Sequence, residues 1–231
     1  MPLPSQDLNQ TVLLMSSERI LVINPNSSVR VTDAIDTALS PLRLRSPFAI
    51  EVIGLPTAPA GVSLQSDADV TAPLVQAAML ANQAAAYAVA CFSDPGVLGA
   101  RENSPTTPIR GIGESAILRA LTQADQFGII ALSYKSVLRQ RRLVRTMGIC
   151  ERYAGSYPIE TSAEGATDGS LLSRMIDAAH QLRIMGADTI IMGCAGMAHF
   201  QSSLEKHCGR PVIEPTKAAV ALLIGDLLLA E

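Results

Sequence analysis

The chain has 231 residues, 48% hydrophobic and 17% charged, enough apolar material for one large domain or two small ones with workable cores. A net charge of −3 and an aromatic content of 3% argue against a phosphate-backbone partner and against a base-stacking surface, so no nucleic acid is expected. No window holds the ~18 to 20 uninterrupted apolar residues of a membrane span, and residues 1–17 lack the basic start and apolar core of a secretory signal.

Those first 17 residues are expected to be a loose extension, which leaves the protein in the cytoplasm. Arg19 to Asn24 (RILVIN) then reads as a strand, PNSS as a turn with hydroxyl caps, and VRVTDAIDTAL as a helix on the spacing of Val29, Ala34 and Leu39. FAIEVIGL is the next strand. After the loop PTAPAGVSLQSD, which is expected to help set pocket size, the spacing predicts a helix over 68–86, with Asp67 and Asp69 near its positive end. YAVAC, a short PIRGI and FGIIALS (127–133) are strands, with a helix over 114–122 before the last of them. The second half reads as helices over 135–147 and 170–185, the strand DTIIMGC, a helix over FQSSLEKH, a short PVIE and a closing helix from Thr216. The locally basic YKSVLRQRRLVR is read as a solvated face or a subunit contact.

Such alternation predicts an α/β fold of two similar halves, with mostly parallel sheets covered on both faces. The first half is expected over 18–115, with 214–231 returning to it, and the second over 116–213. In these sheets functional groups gather beyond the carboxyl ends of strands, here in a cleft between the halves.

Two cysteines sit at such places. Cys91 in AVACFSDPG and Cys194 in IIMGCAGMA each end an apolar strand and begin a turn of small residues. Unpaired N–H groups and a helix dipole at these turns are expected to lower both thiol pKa values and make them the reactive thiols. Gly193, Ala195 and Gly196 allow a ligand close to the backbone. Cys150 and Cys208 lack this setting and are expected to be structural, and in a reducing compartment all four stay thiols. His180, His199 and His207 show no metal-ligand spacing with the cysteines, so no metal site is expected; His199, near the Cys194 turn, is read as a surface histidine at a helix start, with assistance to a thiol as the lesser alternative. GIGESA (Gly111, Gly113, Ala116) spells a dinucleotide fingerprint, but the strand before it is short and contains Pro108 and Arg110. It is read instead as a turn between the halves.

INPNSS (23–28), ACFSDPG (90–96), ARE (100–102), GIGESA and GCAGMA (193–198) together make the chain resemble the hydantoin racemase family, which includes allantoin racemases, within the aspartate/glutamate racemase superfamily. The resemblance implies that Cys91 and Cys194 are acid/base residues on opposite faces of a small-molecule substrate, and that Asn24 lines the same pocket. It also implies two Rossmann-like halves, no cofactor and a homo-oligomer. Ser93 and Ser133, with the backbone around Gly193 and Ala195, are then candidates for holding ring oxygens and nitrogens. The expected reaction is racemisation of a 5-substituted hydantoin or a related cyclic ureide such as allantoin. The alternatives are another superfamily isomerase, of amino-acid racemase or maleate isomerase type, and a non-catalytic small-molecule sensor.

Overall fold

Two aliphatic runs, Ile20–Ile23 and Phe127–Ala131, are almost fully shielded from solvent, and each is an inner strand of its own sheet. The computed structural model describes residues 19–230. β1 (Arg19–Asn24) pairs in parallel with β2 (Ala49–Gly54) on one side and β3 (Ala86–Val89) on the other, and β4 (Ile109–Gly111) lies beyond β3. β5 (Phe127–Ala131) is flanked in the same way by β6 (Tyr153–Pro158) and β7 (Thr189–Met192), with β8 (Val212–Ile213) outermost. The two sheets therefore share one topology, and the fold is α/β with two four-stranded parallel sheets, as expected. Parallel strands need crossover connections, and α1 (Val29–Arg43), α2 (Gln65–Ala81), α3 (Val97–Asn103), α5 (Tyr134–Thr146), α6 (Leu172–Ile184) and α7 (Gln201–Cys208) supply them, while α4 (Ile112–Leu121) links the two sheets and α8 (Pro215–Leu229) follows the last strand.

Several local expectations shift. The buried stripe of α1 is Val31, Ile35 and Leu39, not Val29, which is 71% exposed because it is the first residue after the Ser28 cap. α2 stops at Ala81 rather than at 86, since the alanines at 84–86 feed β3 despite their helical propensity. β6 has no counterpart in the sequence reading. It is a mixed polar edge strand whose Gly155 has φ +145° beside a register shift in β5, so it lacks the aliphatic run that marks the inner strands.

GIGESA is not a turn between halves but the end of β4 and the first turn of α4. The carboxylate of Asp94 accepts from the N–H groups of Gly113 and Glu114, both at 2.8 Å, and so occupies the place a phosphate would take. A Cβ at Gly111 would lie 2.0–2.5 Å from that carboxylate, and one at Gly113 would lie 2.4 Å from the Phe92 carbonyl oxygen. These glycines make room for the turn after Cys91, not for a dinucleotide.

The halves interlock through α4, α8 and the two cysteine turns. Ala219, Val220 and Leu223 of α8 pack with Ile20 and Val22, while Ala218 joins Ala116, Ile117 and Ala120 of α4 against Phe127, Ile129 and Ile191. Arg110 on β4 holds Asp226 of α8 through two hydrogen bonds of 2.7 and 2.8 Å. Among the described residues, no helix is long and apolar enough to cross a membrane.

Burial pushes the Asp94 carboxyl up to about 8 from 3.8, against the two N–H donors that pull it down. The folded state thus keeps a proton that the unfolded chain releases, and this stabilisation is lost as pH climbs from about 4 to 8. Replacing Asp94 with Ala should lower the unfolding free energy at pH 5 by about 1–2 kcal/mol, the usual cost of a lost helix cap. Denaturant titrations at pH 5 and 8 should also show a smaller decline with pH in the variant. An unchanged decline would mean that Asp94 is ionised in the folded protein.

Candidate active site

β3 ends at Val89 and β7 at Met192, so Cys91 and Cys194 each lie two residues past the third strand of their sheet. Both line one cavity between the halves, together with Ser93, Gly193 and Ala195. The backbone N–H two residues ahead, of Ser93 for Cys91 and of Gly196 for Cys194, acts to lower each thiol's pKa.

Two other expected residues lie behind the cavity wall. Asn24 is fully buried and does not line the cavity; its amide donates to Asn26 Oδ1 at 3.1 Å and Thr32 Oγ1 at 2.9 Å. It fixes the turn that presents Asn26 to the cavity. Ser133 caps α5, accepting from the Ser136 N–H at 3.4 Å, and Ser136 rather than Ser133 faces inward. His199 is exposed and borders a separate groove beside α1, so it is not placed to assist either thiol.

The sequence reading passed over α5. Its outer face carries exposed Lys135, Arg141, Arg142 and Arg145, as a solvated face should, but Ser136, Arg139 and Gln140 line the cavity. A signal was available: Ser136, Gln140 and Val144 follow one another at i, i+4 and i+8, putting two polar residues on the helix's buried stripe.

Arg139 ties the cavity to its cover. Its guanidinium donates to Ser93 Oγ at 3.0 Å, Ser136 Oγ at 3.3 Å, and the carbonyls of Ser63 at 2.6 Å and Val62 at 3.3 Å. Residues 55–64 are held from the other side by Ser27 N–H to the Pro59 carbonyl at 3.1 Å and Leu55 N–H to the Asn26 carbonyl at 3.2 Å. They meet the 159–167 segment at Gly61, where a Cβ would lie 3.0 Å from that of Ala163. The cavity is partly open to solvent and about 40 Å³, well below the ~150 Å³ that takes a benzene ring.

The thiols are not shifted as the sequence predicts. Burial pushes Cys91 up to about 11 and Cys194 up to about 12 from 9.0, overriding the N–H donors that lower them. At Cys91 the Ser93 N–H and the Arg139 charge pull down while Asp94 pushes up. At Cys194 the Gly196 N–H pulls down, while charge on Cys91 and Glu214 pushes up. Cys150, expected to be structural, is exposed, and Cys208 is partly buried against the core of the second half. No group of three or more potential metal ligands occurs among the described residues.

The chain matches the family described as Asp/Glu/Hydantoin racemase over residues 20–223. It is 32% identical over 208 residues to a hydantoin racemase of Paenarthrobacter aurescens, covering 87% of each chain. It is 32% identical over 213 residues to a hydantoin racemase of Rhizobium meliloti, covering 88% of this chain and 86% of that one. Its structure superposes on an allantoin racemase from Klebsiella pneumoniae with a TM-score of 0.82 at 28% identity, covering 93% of this chain and 89% of the other.

With both thiol pKa values raised, Cys194 buried and Cys91 half-buried, both should be slow to alkylate in the free protein. Peptide mapping after iodoacetamide near neutral pH should find exposed Cys150 modified at least about tenfold faster than Cys194. Preferential modification of Cys194 would show that burial does not control its reactivity.

Proposed function

The chain belongs to the Asp/Glu/Hydantoin racemase family, and from that premise we propose that it racemises a 5-substituted hydantoin or a related cyclic ureide, without a cofactor, by acid/base catalysis at Cys91 and Cys194. The observation that carries this is the matched placement of the two sulfurs, each two residues past an equivalent strand, on one shared cavity. Inverting a stereocentre through its proton takes a base on one face and an acid on the other. A pair of thiols delivered from opposite halves supplies both.

One thiol must be ionised while the other stays protonated, and the surroundings favour Cys91 for the first role. Arg139 carries positive charge toward it, partly offsetting the negative charge of Asp94, whereas the charges near Cys194, on Glu214 and on Cys91 itself, are all negative. The thiolate removes the hydrogen at C5, which is acidified by the adjacent carbonyl. Charge then moves to that carbonyl oxygen, where hydrogen-bond donors stabilise the enolate; Asn26, Ser93, Ser136, Arg139 and Gln140 are the side chains that reach the cavity with such groups. Protonation from the opposite thiol gives the other enantiomer and leaves the pair with its charge exchanged, so the two sulfurs titrate as one coupled unit. Loop closure by residues 55–64 would keep water from competing for the enolate.

A single-enantiomer hydantoin should lose optical rotation without a change in mass. Cys91→Ser and Cys194→Ser should each slow that loss by at least about 10³-fold, because a serine hydroxyl is a poor acid and base near neutral pH. In deuterated water each variant should still exchange the C5 proton of one enantiomer, a different one for each. A folded variant that racemises at near wild-type rate would rule out the two-thiol mechanism.

Because both thiols are raised, kcat/KM should increase as pH rises above neutral. Arg139→Met removes the charge that favours the Cys91 thiolate, and the alkaline rise should move about one pH unit higher. An unmoved profile would confine Arg139 to holding the loop.

A further inference from the structure

Gln140 is 3% exposed on α5 and lines the cavity beside both cysteine turns. Its Oε1 is buried without a hydrogen-bond partner, a condition that native interiors rarely leave in place. Two other buried side-chain oxygens, Asn24 Oδ1 and Thr216 Oγ1, are also unpaired, but neither residue lines the cavity. Gly193 gives the Gln140 amide its place: a Cβ there would lie 2.7 Å from Nε2 and 2.4 Å from the Ile130 carbonyl oxygen. The glycine preceding Cys194 thus lets an amide plane sit against the turn that carries a reacting sulfur.

We propose that Gln140 is the residue that recognises the ureide, its Oε1 accepting from a ring N–H while its Nε2 donates to the neighbouring ring carbonyl. A cyclic ureide presents N–H and C=O side by side in one plane, the complement of a primary amide. A free amino acid carries its donors and acceptors on separate ammonium and carboxylate groups around a tetrahedral carbon, not side by side in one plane, so the same amide fits it less well. This assignment rests on the racemase reading of Cys91 and Cys194 and names what that site uses to choose its substrate class.

The test uses 5,5-dimethylhydantoin, which has no C5 hydrogen and so binds without turnover, and its N1-methyl and N3-methyl derivatives. Calorimetry on the wild-type protein should show one derivative binding about tenfold or more weakly than the parent, the effect of leaving a buried amide group unpaired. Gln140→Met keeps the side chain's length but neither polar atom. It should weaken the parent by about tenfold and narrow the gap between parent and derivative to about threefold or less. Its thermal midpoint should match or exceed that of the wild type, since no hydrogen bond within the protein depends on Oε1. A fall of several degrees would instead assign Gln140 a structural role and overturn the proposal. If Gln140→Met does not fold, Gln140→Glu serves the same measurement, and undiminished binding of the parent to it overturns the proposal. Wild-type racemisation of 5-monosubstituted hydantoins, with the gap undiminished in Gln140→Met, overturns the Gln140 assignment alone. A wild-type protein that neither binds nor racemises any hydantoin overturns both.

Discussion

The reciprocal packing of the two cysteine turns is the constraint on which the site depends. Phe92, next to Cys91, is buried among Phe127, Ile129 and Ile191 of the second sheet, and Ala195, next to Cys194, is buried among Ile20, Val22 and Ile35 of the first half. Each half therefore completes the other's core with the residue that follows its own cysteine. Separating the halves would expose both apolar contacts at once, so the packing that joins them also fixes the two sulfurs on one cavity.

That burial sets the chemistry a problem. Shielding from water is what raises both thiols, and a neutral pair removes no proton. Local groups must favour one thiolate, and they are unevenly shared. Cys91 has Arg139 set against Asp94, while Cys194 has Glu214, which is itself buried and pushed up by that burial. In the proposed mechanism the cation beside Cys91 alone would favour that sulfur as the one that ionises first.

Arg139 connects this electrostatics to the cover of the cavity. The same guanidinium that carries charge toward Cys91 donates to the Val62 and Ser63 carbonyls of the closing loop and to Ser93 of the Cys91 turn. Movement of the loop changes the set of groups that share this cation. In the proposed mechanism this one side chain would tie the position of the loop to the ionisation of Cys91.

The α/β class, the inner strands and the pairing of Cys91 with Cys194 were legible in the sequence because each is written in local pattern: aliphatic runs ending in a cysteine and a turn of small residues. Edge strand β6 was not, since its pairing with β5 is supplied by a neighbour and not by an aliphatic run of its own. Asn24 and Ser133 could be placed near the site but not on the correct side of its wall, because a hydrogen bond to Asn26 or a cap on α5 is invisible until the chain is folded. The direction of the thiol shifts depended on burial by both halves, which no window of sequence contains. What the sequence determined by itself was which residue types lie at strand ends, through periodicity and turn chemistry. Only the tertiary structure decided which of them share one cavity, and whether water or protein surrounds them, because both follow from contacts between segments a hundred residues apart.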